Sequence, residues 1–162
     1  MTTKNLALLY SNTLISTAAG MFTALNAGVA VGSFYNSLTA ETYYRVMSEK
    51  DYATLQKTNK ISATNETFIS KEQSMSSNFR GVVVEFQVKN DTEQALINVG
   101  VRDVSEKISS KYGTQMPLVA PGWNENNAFF KYENSAVNIG LGKGNALDIF
   151  NENILGFKKI IR

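Results

Sequence analysis

The sequence contains no cysteine and no histidine. Without cysteine, the chain has no disulfide, no thiolate nucleophile and no cysteine-ligated metal. Without histidine, it lacks the commonest general base and the commonest ligand of first-row metals. These absences exclude a zinc hydrolase, a Ser-His-Asp hydrolase and a ribonuclease that works with a pair of histidines. An enzyme built from this chain must use arginine, lysine, carboxylates, hydroxyls and backbone amides.

Charge is nearly balanced but unevenly distributed. The 162 residues include 16 Lys and Arg against 14 Asp and Glu, a net charge of +2. A protein held to nucleic acid mainly by charge is usually more basic, so this balance permits a local basic cleft without requiring one. No charged residue occurs between Lys4 and Glu41. This break predicts an uncharged apolar linker or entry segment over residues 1–40 and one domain over residues 41–162.

The uncharged segment 5–40 has three interpretations. Lys4 and the small residues at 27–30 resemble a secretory signal, but Ser11-Asn12-Thr13 interrupts its apolar region. The segment is long enough to span a bilayer, although it is only weakly apolar. We favour a small-residue helical hairpin or linker that is marginally able to enter a membrane.

Residues 41–162 predict an α+β fold with a small, largely antiparallel sheet and short flanking helices. An apolar helical segment is expected to precede it. Val82–Val88 is the clearest strand, and its continuously apolar start indicates a central position. Ser48 is a predicted helix N-cap, and Gly100 is predicted to follow the end of a helix. Strands are also predicted at 42–47, 66–70, 128–132, 136–141 and 157–161, and helices at 49–57, 90–97, 104–111 and 145–150.

Three cationic side chains are candidate phosphate ligands. Arg45 lies in an otherwise apolar strand, where its guanidinium must reach solvent, an acid or an anion. Arg80 lies in the loop before the central strand, where a solvated surface arginine is the simpler interpretation. Lys143 lies within Gly140-x-Gly142-x-Gly144, between a strand and a helix. This spacing matches no phosphate-binding fingerprint, and a glycine turn is the favoured interpretation.

Three further side chains could assist catalysis. Glu85 interrupts the apolar central strand and must be exposed or paired, with Arg45 or Lys89 as the expected partner. It could also act as the general base that histidine does not provide. Thr67 and Ser70 flank a short strand, and helix capping is the favoured role for Ser70.

Three segments of the chain resemble the C-terminal toxin domains of bacterial polymorphic toxins. They are YYRVMSEKDYATLQKTNKISATNETFIS (43–70), RGVVVEFQVK (80–89) and NAFFKYENSAVNIGLGKGNALDIF (127–150). These belong to contact-dependent growth inhibition and Rhs-type systems. The resemblance implies a toxin that is secreted by a producer cell, delivered into a neighbouring bacterium and active in its cytoplasm. It also implies a cognate immunity protein. Residues 5–40 would then be a remnant of the entry region, with transient membrane contact during delivery.

Many domains of this class are metal-independent ribonucleases that cut transfer RNA, and this is the activity the resemblance favours. Arg45, Arg80 and Lys143 would hold phosphate, while Glu85, Thr67 or Ser70 would assist attack by the 2′-hydroxyl. No cofactor or metal would be needed, and a host factor could be required. On this basis, Arg45→Ala is expected to abolish toxicity without unfolding the domain.

A mono-ADP-ribosyltransferase using NAD as substrate is the alternative. The order of elements resembles that family, with Arg45 matching its first-strand arginine and Thr67–Ser70 its Ser/Thr strand. The family's Glu-x-Glu is absent, because Lys131-Tyr132-Glu133 keeps only the last acid. A second alternative is a membrane-active protein that works through residues 5–40.

Overall fold

A computed structural model of the chain describes residues 40–65, 67–77, 79–119 and 124–161. The predicted apolar N-terminal helix falls outside these residues. None of the helices in the described ranges combines the length and apolar character needed to cross a bilayer.

Seven strands and five short helices make up the described part of the chain. In order, they are β1 (Glu41–Met47), α1 (Glu49–Thr58), β2 (Phe68–Ile69), α2 (Gln73–Ser77), β3 (Val82–Val88), α3 (Thr92–Asn98), β4 (Gly100–Arg102), α4 (Glu106–Tyr112), β5 (Ala128–Glu133), β6 (Ala136–Gly140), α5 (Asn145–Glu152) and β7 (Ile154–Ile160). The expected α+β class with mainly antiparallel strands is confirmed.

The strands form two sheets rather than one. The first has the order β1-β3-β7 and is fully antiparallel. Its middle strand is β3, as the continuous valines predict, and Val82, Val83 and Val84 are all buried. The second sheet has the order β2-β6-β5-β4, in which only β4 and β5 run parallel.

Among the described residues, one backbone bridge connects the two sheets. The Tyr44 amide donates to the Ser70 carbonyl oxygen at 2.7 Å, and the Ser70 amide donates to the Tyr44 oxygen at 3.0 Å. The bridge places Ser70, the residue after β2, beside Tyr44 within β1. The two sheets also share one hydrophobic core, which contains buried residues of both.

Helix α5 fills the space under the first sheet with an aromatic cluster. The ring of Phe150 meets Tyr43 edge-on at 5.6 Å and Phe86 at 5.7 Å between centroids. All three side chains are fully buried. Edge-to-face pairs of this kind stabilise a core beyond the apolar area they bury.

Local sequence signals account for several element ends. The Ser48 hydroxyl accepts a hydrogen bond from the Asp51 amide at 3.0 Å, which confirms the predicted cap of α1. Asn134 and Ser135 both have positive φ, as a two-residue hairpin turn between β5 and β6 requires. Gly100 follows Val99, the C-cap of α3, as predicted, and it is also the first residue of β4.

The glycine motif before α5 is a packing feature. Gly142 has φ of +61°, and a Cβ there would collide with the carbonyl oxygen of Glu125. A Cβ at Gly144 would collide with the side chain of Asn126. The chain therefore needs glycine at both positions to let the loop at 125–126 lie against this turn.

Gly142→Ala should destabilise the domain more than Gly113→Ala does. Gly113 also has positive φ, at +77°, but open space surrounds its missing Cβ. Gly113 has ψ of −173°, an extended positive-φ conformation, so alanine there should cost the backbone strain of about 1–3 kcal/mol. Alanine at 142 adds the backbone collision to a positive-φ strain of its own. Urea denaturation of the full chain measures both, and equal losses would contradict the packing account.

Candidate active site between the two sheets

A groove of about 570 Å³ opens beside the bridge that joins the sheets. Its walls come from β1, β2, the region of α2, and the β5–β6 hairpin. We call this cavity the groove. It is lined by Tyr44, Arg45, Val46, Asn65, Phe68, Ile69, Ser70, Met75, Ser76, Phe79, Phe129, Lys131, Glu133, Asn134 and Asn138. It therefore contains a buried cation, a carboxylate and several aromatic faces.

Arg45 holds β2 against β1. It is only 7% exposed, and its guanidinium donates to the Phe68 carbonyl oxygen at 2.8 Å and to the Thr64 hydroxyl at 3.3 Å. Burial lowers the pKa of Arg45 to about 10, so the side chain stays positively charged at neutral pH. The groove thus has one fixed positive charge at its β1 wall.

The burial of Arg45 changes the expectation for its alanine variant. Arg45→Ala would empty a buried site and leave the hydrogen-bonding groups of Phe68 and Thr64 without their donor. Such losses commonly lower folding stability. Arg45→Lys, which keeps the charge but loses the fork of donors, is the more informative change.

One face of β5 supplies the carboxylate. Alternation along a strand places Phe129, Lys131 and Glu133 on the same side, and all three line the groove. Asn138 lies directly opposite Lys131 on β6. The two-residue hairpin turn fixes this register and so brings the Asn138 amide to the Glu133 carboxylate.

Both carboxylate oxygens of Glu133 have a partner. Asn138 donates to Oε1 at 2.6 Å, and the Lys131 ammonium lies 2.9 Å from Oε2. Burial acts to raise the pKa of Glu133, but the hydrogen bonds from Lys131 and Asn138 and the lysine charge outweigh it, and the net pKa is lowered. Glu133 is therefore a carboxylate held in its ionised form.

Lys131 also contacts an aromatic face. Its ammonium group lies 4.2 Å from the centroid of the Phe68 ring. A cation over an aromatic face is attracted by the ring quadrupole. Lys131 thus links the Phe68 ring to the Glu133 carboxylate and adds a second positive charge to the groove.

Ser70 and Thr67, both predicted to be catalytic, are buried and take part in structural hydrogen bonds. The Ser70 hydroxyl donates to the Val137 oxygen at 2.7 Å and accepts from the Glu72 amide at 3.1 Å, tying β2 to β6. The Thr67 hydroxyl accepts from the Thr64 amide at 3.0 Å. Ser70 lines the groove and Thr67 does not, and their catalytic roles stay predictions.

Glu85 lies outside the groove. Its carboxylate is 3.1 Å from the ammonium group of Lys158 on β7, so the expected pairing with Arg45 or Lys89 was wrong. The register explains this, because Lys158 lies directly opposite Glu85 in the antiparallel pair of β3 and β7. The structure does not bring Glu85 together with Arg45 in one cavity.

The two other predicted phosphate ligands do not line the groove either. Arg80 is exposed in the turn before β3. Lys143 is exposed, and its ammonium lies 3.8 Å from a Glu125 carboxylate oxygen. The backbone amides of Lys143 and Gly144 already donate to the Glu125 carbonyl oxygen at 3.2 and 3.3 Å. An anion at this turn would have to displace those bonds.

Sequence patterns alone did not indicate a role for Lys131, Asn138 or Phe68, and Glu133 stood out only as the remainder of an incomplete motif. A signal for Lys131 and Glu133 was present, because two charged residues two positions apart in a strand share a face. Asn138 could have been added from the hairpin register. The position of Phe68 depends on the sheet-to-sheet bridge, for which the sequence has no local signal.

The family model of the PT3 toxin domain matches residues 39–159. The chain belongs to the PT3 toxin domain family. This confirms the resemblance to the C-terminal toxin domains of polymorphic toxins, a class that is delivered into target cells and generally has cognate immunity proteins. No curated protein matches the chain.

In the PT3 domain, the Glu133 carboxyl should titrate below its ordinary pKa of 4.5. Lys131→Met should raise that pKa, because the variant removes the lysine contacts that counteract the effect of burial. Carbon-13 NMR of the Glu133 carboxyl across an acid titration measures both. Because the folded-state pKa lies below the unfolded one, these contacts stabilise the fold above the unfolded pKa and are lost as pH falls through the folded pKa.

Lys159→Met is the matched control for the titration. Lys159 pairs with the exposed carboxylate of Glu49 at 3.3 Å and lies outside the groove. The pKa of Glu133 should not change in this variant. A wild-type pKa at or above the ordinary value, or equal titrations in the wild type and Lys131→Met, would contradict the assigned contacts.

Proposed function

We propose that the groove binds NAD and that this toxin domain cleaves the bond between nicotinamide and ribose, transferring ADP-ribose to an acceptor in the target cell. The observation that carries the proposal is the meeting of Arg45 on β1, the strand β2 and Glu133 on β5 in one groove. These are the elements on which the resemblance to mono-ADP-ribosyltransferases rests. In the proposed reaction Glu133 acts alone, since position 131 carries lysine where the Glu-x-Glu motif has its first glutamate.

The chemistry of the reaction suits an ionised carboxylate. The C1′–N bond breaks with both electrons leaving on nicotinamide, and positive charge develops on the ribose. A fixed negative charge beside C1′ stabilises that charge, as carboxylates do in glycoside cleavage. An oxygen or nitrogen atom of the acceptor then adds to C1′ and releases its proton. The lowered pKa of Glu133 supports this role, since the carboxyl group is already ionised at neutral pH and need not lose a proton first.

The rest of the groove complements the other parts of NAD. Arg45 and Lys131 provide two cations for the pyrophosphate, and guanidinium in particular suits phosphate oxygens. Phe68 and Phe129 provide ring faces for the nicotinamide or adenine. The volume of about 570 Å³ lies within the range of about 300–1,000 Å³ common for cofactor sites.

The ribonuclease prediction has weaker support from the same geometry. It needs several cations around one phosphate and a base positioned near the 2′-hydroxyl. Arg80 and Lys143 do not line the groove, and Glu85 is paired with Lys158 elsewhere. Cleavage of transfer RNA stays a prediction that the following experiment also tests. The membrane-active alternative concerns residues that lie almost entirely outside the described part of the chain.

Glu133→Gln should reduce NAD consumption by about 10²–10³-fold, the usual loss when one charge-stabilising group is removed. The purified full chain and the variant are incubated separately with NAD and with total transfer RNA. Nicotinamide release is followed by chromatography, and RNA integrity by gel electrophoresis. Nicotinamide release with intact RNA supports the proposal.

Glu85→Gln is the matched control, since it neutralises the carboxylate that the ribonuclease prediction uses. It should leave NAD consumption within about threefold of the wild type, after both variants are shown to be folded by circular dichroism. Cut transfer RNA with untouched NAD would overturn the proposal. So would a loss of activity in Glu85→Gln that Glu133→Gln does not share.

A further inference from the structure

A second, smaller cavity lies on the opposite face of the β5–β6 hairpin from the groove. Its volume is about 230 Å³. Tyr132 lines it, whereas the neighbouring Lys131 and Glu133 line the groove, because side chains alternate along β5. We call this cavity the lysine pocket; its principal residues are Lys71, Lys107, Lys111, Tyr112, Tyr132 and Ile139.

The lysine pocket has an excess of positive charge at its rim. Lys107 and Lys111 lie four residues apart on α4, so their side chains share one face of the helix. Both are exposed, and among the described residues neither forms an ion pair with a carboxylate. Lys71 is different, because its ammonium group lies 2.7 Å from a Glu93 oxygen.

The wall of the pocket is rigid and its floor is apolar. The Tyr112 hydroxyl donates to Glu93 at 3.0 Å, and its ring packs against the buried Phe130 at 5.0 Å between centroids. Ile139 and Ala136 are buried at the base. A fixed tyrosine above an apolar floor is the kind of surface on which protein interfaces place their strongest contacts.

We infer that the lysine pocket docks a protein partner that inserts one apolar side chain flanked by acidic residues. The cavity is smaller than the sites that take cofactors, and its floor is apolar, which suits a single side chain. The exposed ammonium groups of Lys107 and Lys111 complement carboxylates on either side of it. Because the pocket and the groove lie on opposite faces of the hairpin, partner binding at the pocket leaves the groove open.

A protein is favoured over a nucleic acid as the occupant. Nucleic-acid binding gains most of its affinity from a row of cations that neutralise several phosphates. The rim offers only two exposed ammonium groups without an ion pair among the described residues. Glu72, which also lines the cavity, opposes any anionic partner and does not decide between the two. A phosphate backbone would gain little from the apolar floor, which the proposed side chain would cover.

The test uses a fluorescein-labelled peptide in which leucine is flanked on each side by two glutamates. Fluorescence anisotropy with the full chain, at low ionic strength, measures the dissociation constant. The variant Lys107→Gln/Lys111→Gln should weaken binding at least tenfold. A peptide with alanine in place of leucine should bind at least threefold more weakly, since it covers less of the apolar floor.

Lys50→Gln/Lys57→Gln is the matched control. It removes one exposed lysine from the first turn and one from the last turn of α1, as the test variant does on α4. Binding to this control should stay within twofold of the wild type. Neither double variant changes a residue that lines the groove, so nicotinamide release should be the same in both variants as in the wild type.

Four results would overturn the inference. The leucine peptide could fail to bind at millimolar concentration, or both double variants could weaken its binding equally. The alanine peptide could bind as tightly as the leucine peptide, which would leave charge alone as the cause. Finally, transfer RNA could bind to the wild type and lose that binding only in Lys107→Gln/Lys111→Gln, which would make the partner a nucleic acid.

Discussion

The bridge between the two sheets is the constraint on which the rest of the site depends. Tyr44 and Ser70 exchange two backbone hydrogen bonds, and the Arg45 guanidinium adds a third link through the Phe68 carbonyl oxygen. Strand β2 has only two residues, so its pairing with β6 is short and the links to β1 add to it. If these links were lost, Arg45 would be a buried charge without its acceptor, which is costly in a protein interior.

The groove combines charges of both signs at short range. Lys131 holds Glu133 in its ionised form and contacts the Phe68 ring, while Asn138 occupies the other carboxylate oxygen. Because each group limits the movement of the next, the carboxylate is fixed before any substrate arrives. Fixed charges of this kind stabilise a developing opposite charge without the cost of reorganising solvent. In the proposed reaction, this fixed carboxylate provides the charge stabilisation without histidine or cysteine.

Local patterns predicted the strands and caps well because the physical causes are local. The valines of β3 indicated a buried middle strand, and Ser48 capped α1 as its side chain allows. The pairing of Glu85 with Lys158 could not be predicted, since the two residues are far apart in the sequence and meet only through strand register. The division into two sheets could not be predicted either, because it depends on which strands pair. The bridge between Tyr44 and Ser70 also joins residues that are far apart in the sequence.

The most direct test is a crystal structure of Glu133→Gln soaked with NAD, since the slowed variant should retain its substrate. The account predicts NAD in the groove, with its pyrophosphate near Arg45 and Lys131, a ring stacked on Phe68 or Phe129, and C1′ beside position 133. NAD bound at any other surface, or no NAD bound at concentrations well above those in a cell, would contradict it.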